Sequence, residues 1–218
     1  MKRAQNALAA YLRKTYPNLS AGDIIQLLAS GLAVADIDEC LSHLCGGLSG
    51  IAQLIINSYS GDVNAQAFLS QLVEKGKAAK KGDIGAQRVM GLLNIFGIDH
   101  VRGIEVPIPN PAKPDADPKQ LPRADIVLND GTAIEVGGSS KAIRQGRNFK
   151  DEIKALIRGY GADKVEVYLE EKDGSSLGSG IGRAKTLAID ILADALGGNR
   201  EQAKSQVTTF KPSDRLCI

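Results

Sequence analysis

The sequence predicts an α/β domain from about Asp83 onward, in the order helix, three strands, helix, strand, helix, preceded by an all-helical region. Three observations predict it. Up to about Lys75 apolar residues recur at spacings of three and four, the period of a helix with one buried face. From Val101 the pattern becomes strand-like. Asn129-Asp130-Gly131 then stands between two short β-branched runs, where it signals a tight hairpin turn.

Residues 1–75 read as four or five short helices, punctuated at Pro17, Gly31, Gly46-Gly47 and Gly61. Ser20 with Asp23 resembles a capping box, and Asp62 is placed to cap a helix over 63–74. The basic run from Lys75 to Gly82 reads as a linker over 76–82 or a solvated helix, the alternative being an edge that contacts phosphate. The C-terminal domain, 83–218, opens with Asp83 capping a helix over 84–96 that stops at Gly97. Strands follow at 101–108, 124–128 and 132–136. The first two are separated by a loop rich in proline, which denies it regular structure. A helix over 141–158, a strand over 164–170 and a helix over 182–196 complete the domain, with an irregular polar tail beyond Gly197.

At 218 residues the chain is long enough for two domains, and 43% hydrophobic with 24% charged residues is ordinary for a protein that folds in water. A net charge of +2 is too mild to announce a nucleic-acid binder, so any electrostatic case rests on local clustering. Arg13 and Lys14 interrupt the first apolar stretch, so neither a targeting segment nor a membrane span is expected. Three cysteines, Cys40, Cys45 and Cys217, fit a reducing compartment. Cys40, His43 and Cys45 invite a zinc reading, but helical geometry throws position 45 to another face and no fourth ligand lies near, which favours buried helix residues. His43 and His100 are too far apart in the pattern to form a couple; His100 marks a strand start. The glycine-rich stretch 174–182 lacks the lysine spacing of a phosphate-binding loop and reads as a flexible connection.

The hairpin register decides the chemistry. A three-residue loop sets Asp125 opposite Glu135 on one face, with Cβ atoms about 5 Å apart, whereas a two-residue loop would send the two acids to opposite faces. Side by side they could share Mg²⁺ or Mn²⁺, which would activate water and stabilise charge at a phosphorus; ordinary acids on a solvent-facing hairpin are the alternative. Glu135 lies within an apolar strand. From Lys141 to Arg158 six basic residues stand against two acidic ones, and Arg147, Lys150, Lys154 and Arg158 share one helical arc beside an apolar face. A solvated helix face is the plainer account of that arc.

From about Asp83 to Leu196 the chain resembles the PD-(D/E)XK, or restriction-endonuclease-like, nucleases, including the C-terminal nuclease domains of bacterial polymorphic and contact-dependent toxins. The resemblance rests on element order and on Arg123-Ala124-Asp125-Ile126-Val127-Leu128 with Ala133-Ile134-Glu135-Val136-Gly137. It implies an αβββαβα core, Asp125 and Glu135 as catalytic metal ligands, and a lysine at position 137, where this chain has glycine. Lys141 is the residue that would supply the missing ammonium, and Gln145 resembles the polar residue of the helix after the motif. Gln87 is the nearest match to the acid of the first helix. Arg144, Arg147 and Lys150 would grip a nucleic-acid backbone. The implied function is hydrolysis of DNA or RNA, as a cytoplasmic protein or as a toxin module delivered into a target-cell cytoplasm. A cognate immunity or delivery protein would be its partner. A catalytically inert nucleic-acid- or protein-binding module on the same scaffold is the second reading, and an interaction domain working through its helical half is the third.

Overall fold

A computed structural model describes residues 62–112, 114–138, 146–171 and 180–211, together with residues 9, 10, 13, 14, 20, 22 and 54; side chains are described from Asn148 onward in the segment that begins at 146. The predicted helices before residue 62, the Cys40/His43/Cys45 group, Cys217 and the glycine-rich residues 174–179 lie outside the described residues. The chain divides into two compact units, Met1–His100 with Cys217–Ile218, and Val101–Leu216.

In the first unit, helix α1 spans Val63–Lys80 and α2 spans Ile84–Phe96. Asp62 caps α1 by accepting from the backbone N–H groups of Asn64 (2.9 Å) and Ala65 (3.1 Å), and Asp83 caps α2 through Ala86 N–H (2.8 Å). The basic run is not a linker: residues up to Lys80 continue α1. Nothing in Lys75-Gly76-Lys77-Ala78-Ala79-Lys80 breaks a helix outright, the alanines favour it, and Lys77 and Lys80 complement the negative end of its dipole. The helix ends where Gly82 turns left-handed (φ 92°). There Gly82 N–H donates to the Ala79 carbonyl and Asp83 N–H to that of Ala78, both at 3.0 Å, which satisfies the last carbonyls. Helix α2 packs on α1 and is grouped with it, and the Gln87 side chain donates to the Ala79 carbonyl (3.0 Å).

The second unit is an α/β fold built on a five-stranded mixed sheet in the order β1-β2-β3-β4-β5. Its strands are β1 (Val101–Pro107), β2 (Arg123–Leu128), β3 (Ala133–Gly138), β4 (Val165–Glu170) and β5 (Val207–Phe210). Strands β1, β2 and β3 pair antiparallel, while β3, β4 and β5 run parallel. Between them come helix α3 (Gly146–Tyr160), α4 (Gly180–Ala195) and α5 (Arg200–Ser205). Parallel neighbours require crossovers, and α3 and α4 provide them from one side of the sheet: Phe149, Ile153 and Leu156 of α3 and Ala188 and Leu192 of α4 share a core with Val165, Val167 and Leu169 of β4. Central β3 is buried along its whole length, as a strand covered on both faces must be. At Gly159, in the last turn of α3, a Cβ would press into the Ile108 side chain and lie 2.9 Å from the Pro109 carbonyl oxygen, so the absence of a side chain lets the proline-rich loop close on the helix.

The expected irregular tail is corrected by α5 and β5. Asn199 accepts from Gln202 N–H (3.1 Å) while its own amide donates to Gln202 Oε1 (3.2 Å), so this pair caps α5. Val207-Thr208-Thr209-Phe210 then adds a fifth strand beside β4, as expected for a β-branched and aromatic run.

The hairpin between β2 and β3 has the three-residue loop. Leu128 N–H donates to the Thr132 carbonyl (2.8 Å), Gly131 N–H to the Leu128 carbonyl (3.1 Å), and Gly131 takes the left-handed conformation such a loop requires (φ 87°). Asp130 braces it, accepting from Thr132 N–H (2.9 Å) and from the Thr132 hydroxyl (3.0 Å). Those two bonds, with Lys164 nearby, hold the Asp130 carboxyl below the usual carboxylate range. Its stabilising contribution is therefore complete above the ordinary aspartate pKa and is lost as pH falls through the lowered folded value. Solvent screens this exposed turn, so Asp130→Ala should cost no more than about 1 kcal/mol at neutral pH. Thermal melts at decreasing pH should show the gap between variant and natural protein closing; a gap that persists in acid would assign the effect to something other than the carboxylate.

Candidate functional site

The register of the hairpin pairs Ile126 with Ile134 and Val127 with Ala133. Continuing that count sets Asp125 opposite Glu135, so the two acids share a sheet face. Alternation along the parallel β3–β4 ladder identifies that face. Ala133, Glu135 and Gly137 stand beside Val165, Val167 and Leu169, and Ala133 with these β4 residues belongs to the core under α3 and α4. The acid pair is thus on the helix-covered side, and Glu135 is only 2% exposed.

Asp125 is half-buried and its Oδ2 accepts from Val136 N–H at 2.7 Å. Leu128 and Thr132 exchange a ladder bond, so 126/134 is the next hydrogen-bonded pair and 125/135 falls between bonds, where facing side chains approach most closely. The paired register stops at Ile126/Ile134. Beyond it the Asp125 carboxylate takes Val136 N–H, a charge-assisted bond that ties its side chain to β3. Two carboxylates in this position repel one another, and burial sharpens the repulsion. A hard divalent cation offsets it, and Mg²⁺ is commonly held by one or two carboxylates with water and phosphate oxygens filling the remaining positions. The oxygen donors present fit such an ion. Among the described residues no group of three or more His, Cys, Asp or Glu is arranged to hold a metal.

Gly137, at the position of the motif lysine, is buried and pairs with Leu169 in the ladder; Gly138 pairs with Glu170. Both glycines extend β3 two residues beyond its expected end at position 136. Lys141, Arg144 and Gln145 lie outside the described residues, as does the side chain of Arg147. Lys150 is exposed on α3 and lines an open groove of about 510 Å³ between α3 and α4, together with Lys154 and Arg158 on one side and Asp190 and Asp194 on the other.

Two acids escaped the sequence reading. The β1–β2 register pairs Ile104 with Ile126 and Val106 with Ala124, which sets Glu105 level with Asp125 and makes a row of Glu105, Asp125 and Glu135 across three strands. Glu105 has a left-handed backbone (φ 50°), and the Arg123 guanidinium donates to its carbonyl at 2.7 Å. Side chains other than glycine, asparagine and aspartate rarely take that conformation unless their surroundings enforce it. Glu170, 5% exposed at the end of β4, is the second; its place at the close of an apolar strand was a signal that could have found it.

Neither a protein-family model, nor a characterised protein, nor a solved structure matches the chain.

Proposed function

We propose that the second unit is a divalent-metal-dependent nuclease with a restriction-endonuclease-like core. The observation that carries this reading is the pair Asp125 and Glu135, level on adjacent strands, on the helix side of the sheet, with Glu135 buried. Two facing carboxylates on a covered sheet face are a ready pair of hard oxygen ligands, and a divalent cation held by both would offset their mutual repulsion. Bound between them, Mg²⁺ or Mn²⁺ would supply a polarised water and charge stabilisation at phosphorus. The chain's own part is to hold the two carboxylates, Asp125 through its bond to Val136 N–H and Glu135 through the buried central strand. Lys141 is assigned the ammonium that Gly137 lacks, Gln145 the orientation of water or phosphate, and Arg144, Arg147 and Lys150 contact with the backbone of DNA or RNA. These assignments follow the family resemblance. So does the proposal that the chain is a toxin module acting in a target-cell cytoplasm, with a cognate immunity or delivery protein as partner.

Gly137 favours a second reading, an inert binding module on the same scaffold, since no side chain stands where the motif lysine would. Incubation of purified protein with plasmid and with total RNA, with Mg²⁺ or Mn²⁺ and with a chelator, separates the two. Metal-dependent cleavage that chelation abolishes supports the nuclease. Binding without cleavage under any metal supports the second reading.

A further inference from the structure

We infer that the groove between α3 and α4 is the surface on which two copies of this chain associate. Three features of the groove lead there, and none depends on the acid pair. First, its walls carry opposite charges at the same spacing: exposed Lys154 and Arg158 stand four residues apart on α3, beyond Lys150 nearer the helix start, and exposed Asp190 and Asp194 stand four apart on α4. Secondly, half-buried Ile157 and Leu187 lie between the rows, giving an apolar seam along an opening of about 510 Å³. Thirdly, the rows do not satisfy one another, because no ion pair joins α3 to α4 among the described residues; Asp190 instead pairs with Arg200.

Direction makes this pattern self-complementary. Strands β3, β4 and β5 are parallel and α3 and α4 are the returns between them, so the two helices run the same way on the same side of the sheet. A two-fold axis laid along the groove places α3 of one copy over α4 of the other, parallel to it. Each cationic row then meets an anionic row, twice, while the apolar seams close on each other. A nucleic acid suits the groove poorly, since Asp194 is an exposed anion on one wall and Asp190, though paired with Arg200, adds no cation facing the groove. A second copy presents both charges in the required places by symmetry alone.

The test uses the full chain and two charge reversals kept away from the residues assigned to phosphate contact: Lys154→Glu with Arg158→Glu, and Asp194→Lys. Sedimentation equilibrium of the natural protein should show a dimer that weakens with added salt. Each reversed protein should associate at least roughly tenfold more weakly, because like charges now face each other. An equimolar mixture of the two should recover much of the association, because in the heterodimer one contact is between unaltered rows and in the other the reversed charges of the two variants face each other; that recovery excludes misfolding as the cause of the losses. A natural protein that stays monomeric up to roughly 100 μM, where even a small specific interface associates, overturns the inference. So does a dimer indifferent to both reversals, or a Lys154/Arg158 reversal that weakens DNA or RNA binding and leaves association unchanged.

Discussion

On the proposed nuclease reading, Asp125→Asn and Glu135→Gln should each reduce metal-dependent cleavage by at least about two to three orders of magnitude, and the double variant should be little worse than either alone, because residues that would hold one ion act as a unit. Both substitutions keep shape and remove charge. In Asp125→Asn the amide retains an oxygen to accept from Val136 N–H, so the tie between β2 and β3 survives. Glu135→Gln removes one of two facing like charges and keeps the side chain's shape, so the metal-free variant should fold with little change in stability. Loss of activity with unchanged or raised stability is the mark of a residue kept for function at some cost to the fold. Calorimetric titration with Mn²⁺ and denaturant melts without metal read the two effects separately. Variants that cleave at the natural rate would remove the acid pair from the chemistry. Variants that lose activity together with stability would reassign Asp125 and Glu135 to structure.

The hairpin was the most legible part of the molecule because two independent signals agree there. Short strand-forming runs at 124–128 and 132–136 define the strands, and Asn129-Asp130-Gly131 admits a left-handed residue at its third position. They leave a three-residue and a two-residue loop to choose between, and the level pairing of Asp125 with Glu135 follows by counting from the first, which the Leu128–Thr132 bond and left-handed Gly131 select. Caps were legible for a similar reason: Asp62 and Asp83 each precede a helical period and bond the backbone two or three residues on. Such interactions close within a few residues and leave their trace in the local sequence.

What escaped was non-local or short. Glu105 reaches the level of Asp125 across a proline-rich connection in which no count can be kept, so only the paired strands reveal it. Strand β5 has four residues and forms because β4 offers it an edge, a tertiary reason that propensity alone does not state. The run from Lys75 to Lys80 looked like a linker through its charge, yet helix formation depends on backbone compatibility, and a buried Gly76 on the packed face of α1 was tolerated. The anionic wall facing the basic arc of α3 was equally hidden. Lys150, Lys154 and Arg158 were visible as one face, but Asp190 and Asp194 stand opposite them only after β4 has been crossed. That placement weakens the case for the later turns of α3 as a phosphate-binding surface and moves any such contact toward the start of the helix.

Phe149→Ala should be the most damaging single substitution in the second unit, at about 3–5 kcal/mol. Phe149 is fully buried and is the largest of the fully buried side chains, and it shares one core with β4 and α4. Its removal deletes the greatest apolar area from the face of α3 that holds the helix to the sheet. Neither α3 nor the central strand can close the gap without losing other contacts, since Ile153, Leu156 and Val167 are already at zero exposure. A domain of this size has only about 5–15 kcal/mol of stability in all, so the melting temperature should fall by roughly 10–20 °C. Phe149→Leu, which leaves most of the volume filled, should cost about 1–1.5 kcal/mol, and exposed Lys154→Ala less than about 0.5 kcal/mol. Urea denaturation with an unchanged slope and a shifted midpoint is the measurement. A loss from Phe149→Ala no larger than that from Phe149→Leu would mean that α3 is anchored elsewhere. The consequence for the site follows from the same contact: α3 covers the sheet face that carries Asp125 and Glu135, so loosening it admits more water to the acid pair and weakens the low-dielectric surroundings on which the proposed cation site would depend.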